Sequence, residues 1–178
     1  MPNPNVEPLA QEYVIAARVP DPEVYFFHDP NMTLLDDGSL LIAAAQWGRN
    51  RPEVERTTRI LRSADEGQTW EEFPPLPYAE ATPFLLDGKL LMFVQHASHQ
   101  DFNIVSSEDG GRTWTQPQRV IEGPFWNIST AMVERPEALY WAMDYDGEEE
   151  MNERSRNGMV MVKHDRKGSA LDPESWSY

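Results

Sequence analysis

Apolar and polar positions along this chain fall into short runs separated by turn residues, without the sustained three-to-four spacing of a long helix. Residues 26–35 lead into Asp36-Asp37-Gly38, and an apolar run resumes over 39–46, the signature of a β-hairpin. A third strand is expected over 58–62 and a fourth from Trp70. The order then repeats, with strands over 81–86, 89–95 and 103–106, the turn Asp87-Gly88 between the first two, and a last strand from Trp114. A more divergent third unit follows, with strands over 128–133, 138–143 and 158–163, closing near Trp176.

The repeat has a countable period. The Asp-Gly turns at 37 and 87 lie 50 positions apart and Trp70 and Trp114 lie 44 apart, both matching one four-stranded propeller blade. Trp176 comes 62 positions after Trp114, the excess being taken up by an acidic loop over 144–157. An insertion at a blade edge is a common place for binding residues, and a solvated acidic loop reads the same way in sequence. The expected fold is all-β: a tail and lead-in over 1–20, then a partial β-propeller of about three four-stranded blades over 21–178.

Two octets, Ser63-Ala64-Asp65-Glu66-Gly67-Gln68-Thr69-Trp70 and Ser107-Glu108-Asp109-Gly110-Gly111-Arg112-Thr113-Trp114, share the pattern Ser-x-Asp-x-Gly-x-Thr-Trp at the end of an expected third strand. Asp65 and Asp109 can accept hydrogen bonds from their own turns, with Ser63, Ser107, Thr69 and Thr113 as weaker partners. Gly67 and Gly111 permit a positive φ. Trp70 and Trp114 are expected as apolar anchors between sheets. All ten residues read as structural.

The octets resemble the Asp-box, or bacterial neuraminidase repeat, of the sialidase superfamily. That resemblance implies a sialidase-like propeller of six blades, with substrate at one end of the central axis. It also implies three arginines clamping a carboxylate, an acid near the end of the first blade, and a tyrosine activated by a glutamate. At the position of the first arginine this chain has His28-Asp29-Pro30, and Arg18-Val19-Pro20 lies ten positions too early to take the role. The acid falls in the loop over 47–56, where Glu53 or Glu55 stands in place of the implied aspartate. Asp29, Glu53 and Glu55 are therefore the candidate catalytic residues. Arg49 and Arg51 in the same loop would lower a carboxyl pKa and contact a sugar, and an exposed mixed-charge loop is the alternative.

His28, Glu80 and Asn127 each precede an expected inner strand, so a propeller would gather them around its axis as a ligand-binding rim. His96 and His99 follow the second strand of the second unit. They suit sugar hydrogen bonding better than metal, since no fixed Asp, Glu or Cys stands beside them, and no metal site is expected. Trp126 and Tyr145 offer flat faces for a pyranose, or for packing.

Composition narrows the function. Thirty acidic against fifteen basic residues give a formal charge of −15, which argues against nucleic acid or an anionic membrane as partner. Without cysteine there is no disulfide framework, thiolate site or thiol nucleophile. The first eight residues lack the features of a signal peptide, and no apolar run is long enough to span a bilayer, so a soluble chain is expected with its compartment open. No nucleotide or dinucleotide fingerprint appears, and no cofactor is expected. The functional expectation is a sialidase-like glycoside hydrolase, an exo-glycosidase in a longer parent, acting on or binding a glycan. The alternative is a non-catalytic carbohydrate-binding or protein-binding propeller. Three blades leave an open arc with uncovered apolar faces, so the remainder of a longer chain, or a second half-propeller, is expected to complete the ring.

Overall fold

A computed structural model describes residues 13–96, 99–123, 125–126, 132–145 and 158–178. They form three antiparallel sheets. The first runs in the order β1 (Tyr25–Leu34), β2 (Leu40–Gly48), β3 (Thr57–Ser63) and β4 (Glu71–Leu76). The second repeats this with β5 (Glu80–Leu86), β6 (Lys89–His96), β7 (His99–Ser107) and β8 (Gln118–Ile121). In the third, the short β9 (Phe125–Trp126) pairs with the far end of β11 (Ala138–Tyr145), and β10 (Met132–Glu134), β11, β12 (Gly158–Asp165) and β13 (Trp176–Ser177) run in order. Each sheet meanders, so connected strands are neighbours and the fold is a partial β-propeller of three blade-like sheets.

Two differences from the sequence expectation have local causes. The fourth strands begin at Glu71 and Gln118, because Trp70 and Trp114 are held in the turns, each donating its indole N–H to the carbonyl of Gly67 or Gly111 at 3.0 Å. The inner strand of the third unit is Met132–Glu134, while 127–131 lie outside the described residues.

The burial patterns explain the sequence patterns. In β6 every residue from Leu90 to Gln95 is buried: Leu90, Met92 and Val94 face the first sheet, and Leu91 and Phe93 the third. A strand covered on both faces reads as a continuous apolar run. One core joins the first two sheets through Leu41, Ala43, Ile60, Phe73 and Val105. The other joins the second and third through Phe84, Phe102, Ile104, Leu139, Trp141 and Val162. Strand β12 alternates instead, because only one of its faces is covered: Val162 and His164 are buried while Met159 and Met161 are exposed. Met32 and Leu34 of β1 are likewise exposed, so the two end sheets of the array each present apolar side chains outward.

Both octets form closed turns. The Thr69 amide and hydroxyl donate to the two oxygens of Asp65 at 2.8 and 2.6 Å, and Thr113 does the same to Asp109 at 2.9 and 2.6 Å. The Ser63 and Ser107 hydroxyls accept the amides of Gly67 and Gly111 at 2.8 and 2.9 Å. With those threonine hydrogen bonds as the leading cause, both carboxyls are held down at about 2. The second turn packs onto the first sheet, where a side chain at Gly111 would meet Leu41. Across the same seam Arg112 forms a two-pronged pair with Glu71 at 2.9 and 2.8 Å.

Candidate functional site

Antiparallel pairing gives the sheets two different ends. One holds the tight turns around Asp37 and Asp87 and the two octets. The other holds the starts of β1 and β5, the ends of β2, β6 and β11, and β9. At this second end β1 packs against β5, and residues far apart in sequence meet.

The local backbone is shaped for that meeting. Pairing of β1 with β2 shifts register between His28 and Asn31, and Asp29 within this bulge has φ of 41°. A left-handed conformation immediately before a proline costs on the order of 1–3 kcal/mol and persists only where surrounding structure enforces it. The Asn31 side-chain amide supplies part of that enforcement. It donates to the Asp29 carbonyl at 3.1 Å and, across to β5, to the Ala81 carbonyl at 3.3 Å. The Trp47 indole, at the end of β2, donates to the Ala79 carbonyl at 2.9 Å and binds the same two sheets together.

Three side chains converge there. His28 Nδ1 lies 2.9 Å from Asp29 Oδ2 and 3.5 Å from Glu80 Oε1, and all three atoms lie within 4.8 Å of one another. Each atom is shielded from solvent, and none makes a hydrogen bond of acceptable alignment despite the short separations. The Glu80 side chain is 2% exposed, against 18% for Asp29 and 32% for His28, so Glu80 sits behind the other two. Burial first, and then the charge of Asp29, push the Glu80 carboxyl up to about 8, with Arg56 pulling the opposite way. The His28 ring stacks on Trp47 at 4.5 Å between centroids, and the Arg56 guanidinium lies 4.1 Å from the Trp47 ring centroid.

Other residues singled out in the sequence are less tightly involved. Glu53, Glu55 and Arg51 are exposed in the loop after β2. Arg49 is turned back to the lead-in, donating to the Pro22 carbonyl at 3.1 Å and lying 5.5 Å from the Phe26 ring. His96 meets Tyr78 edge-on at 4.9 Å, and His99 pairs with it in register across β6 and β7. Trp126 and Tyr145 belong to β9 and the end of β11 at the same end of the sheets, and Asn127 lies outside the described residues. Trp47, Arg56 and Asn31 were not among the site candidates. Only the position of Trp47 and Arg56 in the loop region hinted at them.

A separate cleft of about 510 Å³ lies at the opposite, turn-bearing end, lined by Asp36, Asp87, Ser107 and His164 among others. His164 is buried there against Trp176, and burial pushes its pKa down.

No family model matches this sequence, and no curated protein matches it. Solved structures do match in fold. They include an exo-β-1,3-galactanase from Clostridium thermocellum (TM-score 0.66, 11% identity, 89% of this chain and 36% of that one). A GH43 β-1,3-galactosidase aligns with TM-score 0.64, 12% identity and 86% and 32% coverage. The GH93 α-L-arabinofuranosidase of Fusarium graminearum, solved with arabinobiose, aligns with TM-score 0.51, 18% identity and 85% and 47% coverage. This chain spans about half or less of the length of each. These likenesses correct the sialidase-superfamily assignment drawn from the octets. The physical reason for the error is plain in the structure: the octet side chains bond within their own turns at the end away from the convergent trio, so they report how a blade closes and not what it binds. The chain is a partial β-propeller of the architecture found in GH43 and GH93 glycoside hydrolases.

Proposed function

We propose that this chain contributes part of a glycan site of the glycoside hydrolase type, centred on the end of the sheets where β1 and β5 begin. The observation that carries this reading is the convergence of His28, Asp29 and Glu80, brought from two sheets to one point and fixed by a strained bulge. Strain and buried polar groups held without mutual hydrogen bonds concentrate where a ligand is handled. Asp29 is the carboxylate offered to the sugar, with His28 beside it as a hydrogen-bonding group, and Glu80 acts behind Asp29 as a positioning residue. Glu53 and Glu55, both exposed, take the lesser role of contacting outlying parts of a glycan.

The proposed ligand is a neutral sugar. A sialic acid carboxylate needs fixed cationic partners, and arginine supplies them best. Here His28 and Asp29 stand where the sialidase pattern has arginine, backed by the carboxyl of Glu80. The carboxylate spacing adds a further point. Paired carboxyls that hydrolyse a glycosidic bond flank it from about 5–9.5 Å apart, whereas Asp29 and Glu80 both close on one imidazole nitrogen, at 2.9 and 3.5 Å. The two therefore act as one unit, and the second catalytic carboxyl is to be sought elsewhere in the ring. That same closeness favours a second reading, a site that binds a glycan without cleaving it.

Titrating arabinobiose, β-1,3-galactobiose and sialyllactose into the chain, with heat of binding as the readout, tests the proposal. The expected result is saturable binding of a neutral disaccharide, lost in Asp29→Ala, with no binding of the sialoside. Preferential binding of sialyllactose overturns it.

A further inference from the structure

The trio at the start of β1 and β5 also forms a donor set of the kind that holds a cation. Nδ1 of His28 lies within ion-pair distance of Oδ2 of Asp29 and Oε1 of Glu80, yet all three atoms are hidden from solvent and none makes an aligned hydrogen bond. Buried polar atoms without partners are uncommon in folded proteins, and each one calls for an explanation. Glu80, at 2% exposure, is the most deeply placed of the three and contributes Oε1 to the shared point. Two carboxyl groups and an imidazole meet at this point, and the Arg56 guanidinium lies against the Trp47 face.

We infer that His28, Asp29 and Glu80 hold a divalent cation of the zinc or manganese kind. The two separations from the imidazole nitrogen suit it. With ligand bonds of about 2.1 Å, donor atoms 2.9 and 3.5 Å apart subtend angles of about 90° and about 110° at a shared ion, between octahedral and tetrahedral values. The chemistry suits it as well, since an imidazole nitrogen favours zinc and related ions while carboxylates also accept manganese. An ion of charge two matches the charge of two ligating carboxylates and so offsets the cost of burying them together. The supporting shell is in place: Trp47 fixes the His28 ring by stacking, Asn31 fixes the bulge that carries Asp29, and Glu80 is held in the β5–β6 pairing opposite Gln95. Three protein donors leave coordination positions for water or for sugar hydroxyls on the side where His28 and Asp29 are partly exposed.

This site departs from the sequence expectation of no metal. That expectation was drawn from His96 and His99, whereas the trio joins a dipeptide at the start of one blade to a glutamate at the start of the next. The inference shares its location with the proposed glycan site but does not depend on a sugar binding there.

Calorimetric titration of the 178-residue chain with Zn²⁺, and separately with Mn²⁺, tests it with no glycan present. One ion per chain is expected for at least one of the two metals. Affinity should fall at least tenfold in Glu80→Gln and in Asp29→Asn, and stay unchanged in Glu108→Gln at the opposite end of the sheets. Circular dichroism of each variant confirms that the fold survives, and two separate ligand substitutions guard against one that does not fold. Absence of stoichiometric binding by either ion, or binding within twofold of wild type in both ligand variants, overturns the inference. Repeating the disaccharide titration in EDTA separates the two proposals, because failure of the sugar to bind leaves the metal result standing, and the reverse holds too.

Discussion

The imidazole of His28 lies nearly parallel to the indole of Trp47, with centroids 4.5 Å apart and planes inclined by 18°. The stack joins the first inner strand to the end of its neighbour beside the bulge at Asp29, and it sets the direction in which Nδ1 points. His28→Phe keeps a ring over Trp47 and removes the nitrogen, while His28→Ala removes both. Aromatic pairing of this kind contributes about 0.5–1.5 kcal/mol beyond burial. Urea unfolding should therefore show His28→Phe within about 0.5 kcal/mol of wild type and His28→Ala less stable by about 1 kcal/mol. Equal loss in the two variants would show that the stack does not hold the strand end.

Acid should weaken the blades through their turns. Asp65 and Asp109 have folded pKa values of about 2, below the ordinary 3.8, because Thr69 and Thr113 donate to them. A depressed carboxyl binds fewer protons folded than unfolded, so its stabilisation is complete above about pH 4 and is lost as pH falls towards 2. Thermal unfolding midpoints measured between pH 5 and pH 2 should fall across that window. The double variant Asp65→Asn, Asp109→Asn should show a shallower fall, and an unchanged slope would contradict the role given to these turns.

The two turn glycines should differ in sensitivity. Gly67 and Gly111 both have positive φ, 86° and 92°, so alanine at either costs about 1–2 kcal/mol in backbone strain. At Gly67 the added carbon meets Trp70 at an ordinary 3.6 Å, whereas at Gly111 it comes within 2.7 Å of the Leu41 side chain in the first sheet. Gly111→Ala should therefore be the more damaging by about 1 kcal/mol or more. Equal loss at the two positions in denaturant unfolding would mean that the contact between these sheets yields freely.

Trp141 anchors the second core. It is fully buried and meets Phe84 and Phe102 edge-on at 5.5 and 5.6 Å. Trp141→Ala should cost about 3–5 kcal/mol by removing contacts that the surrounding strands cannot refill. Loss of less than about 1 kcal/mol in chemical denaturation would show that the second and third sheets are not held together by this cluster.

Much of the fold was legible because blades obey local rules. The Asp37-Gly38 and Asp87-Gly88 turns mark hairpins whose strands pair with sequence neighbours, and the octets repeat the next connection, so strand order follows from spacing alone. The third sheet was harder to read, since its inner strand is short and its closing turn at Leu171 to Trp176 lacks the octet pattern. The site was only half legible. His28, Asp29 and Glu80 stood out as polar residues before apolar strands, but nothing in the sequence states that Glu80 lies behind Asp29, or that Trp47 and Arg56 complete the surroundings. Those relations depend on how β1 sits against β5, a packing distance that no periodicity encodes. The family resemblance misled for a related reason: the most conspicuous motif serves turn closure, whereas the ligand end is built from single residues without a repeated pattern.

The central claim is that ligand is handled where β1 and β5 begin. Amide chemical-shift mapping by NMR during titration with the neutral disaccharide that binds tests this most directly. The account predicts shifts concentrated at His28, Asp29, Asn31, Trp47 and Glu80, with the turns at Asp36 to Ser39 and Ser107 to Gly111 unmoved. Shifts confined to those turns and to the cleft around His164, with the β1 and β5 starts silent, would contradict it.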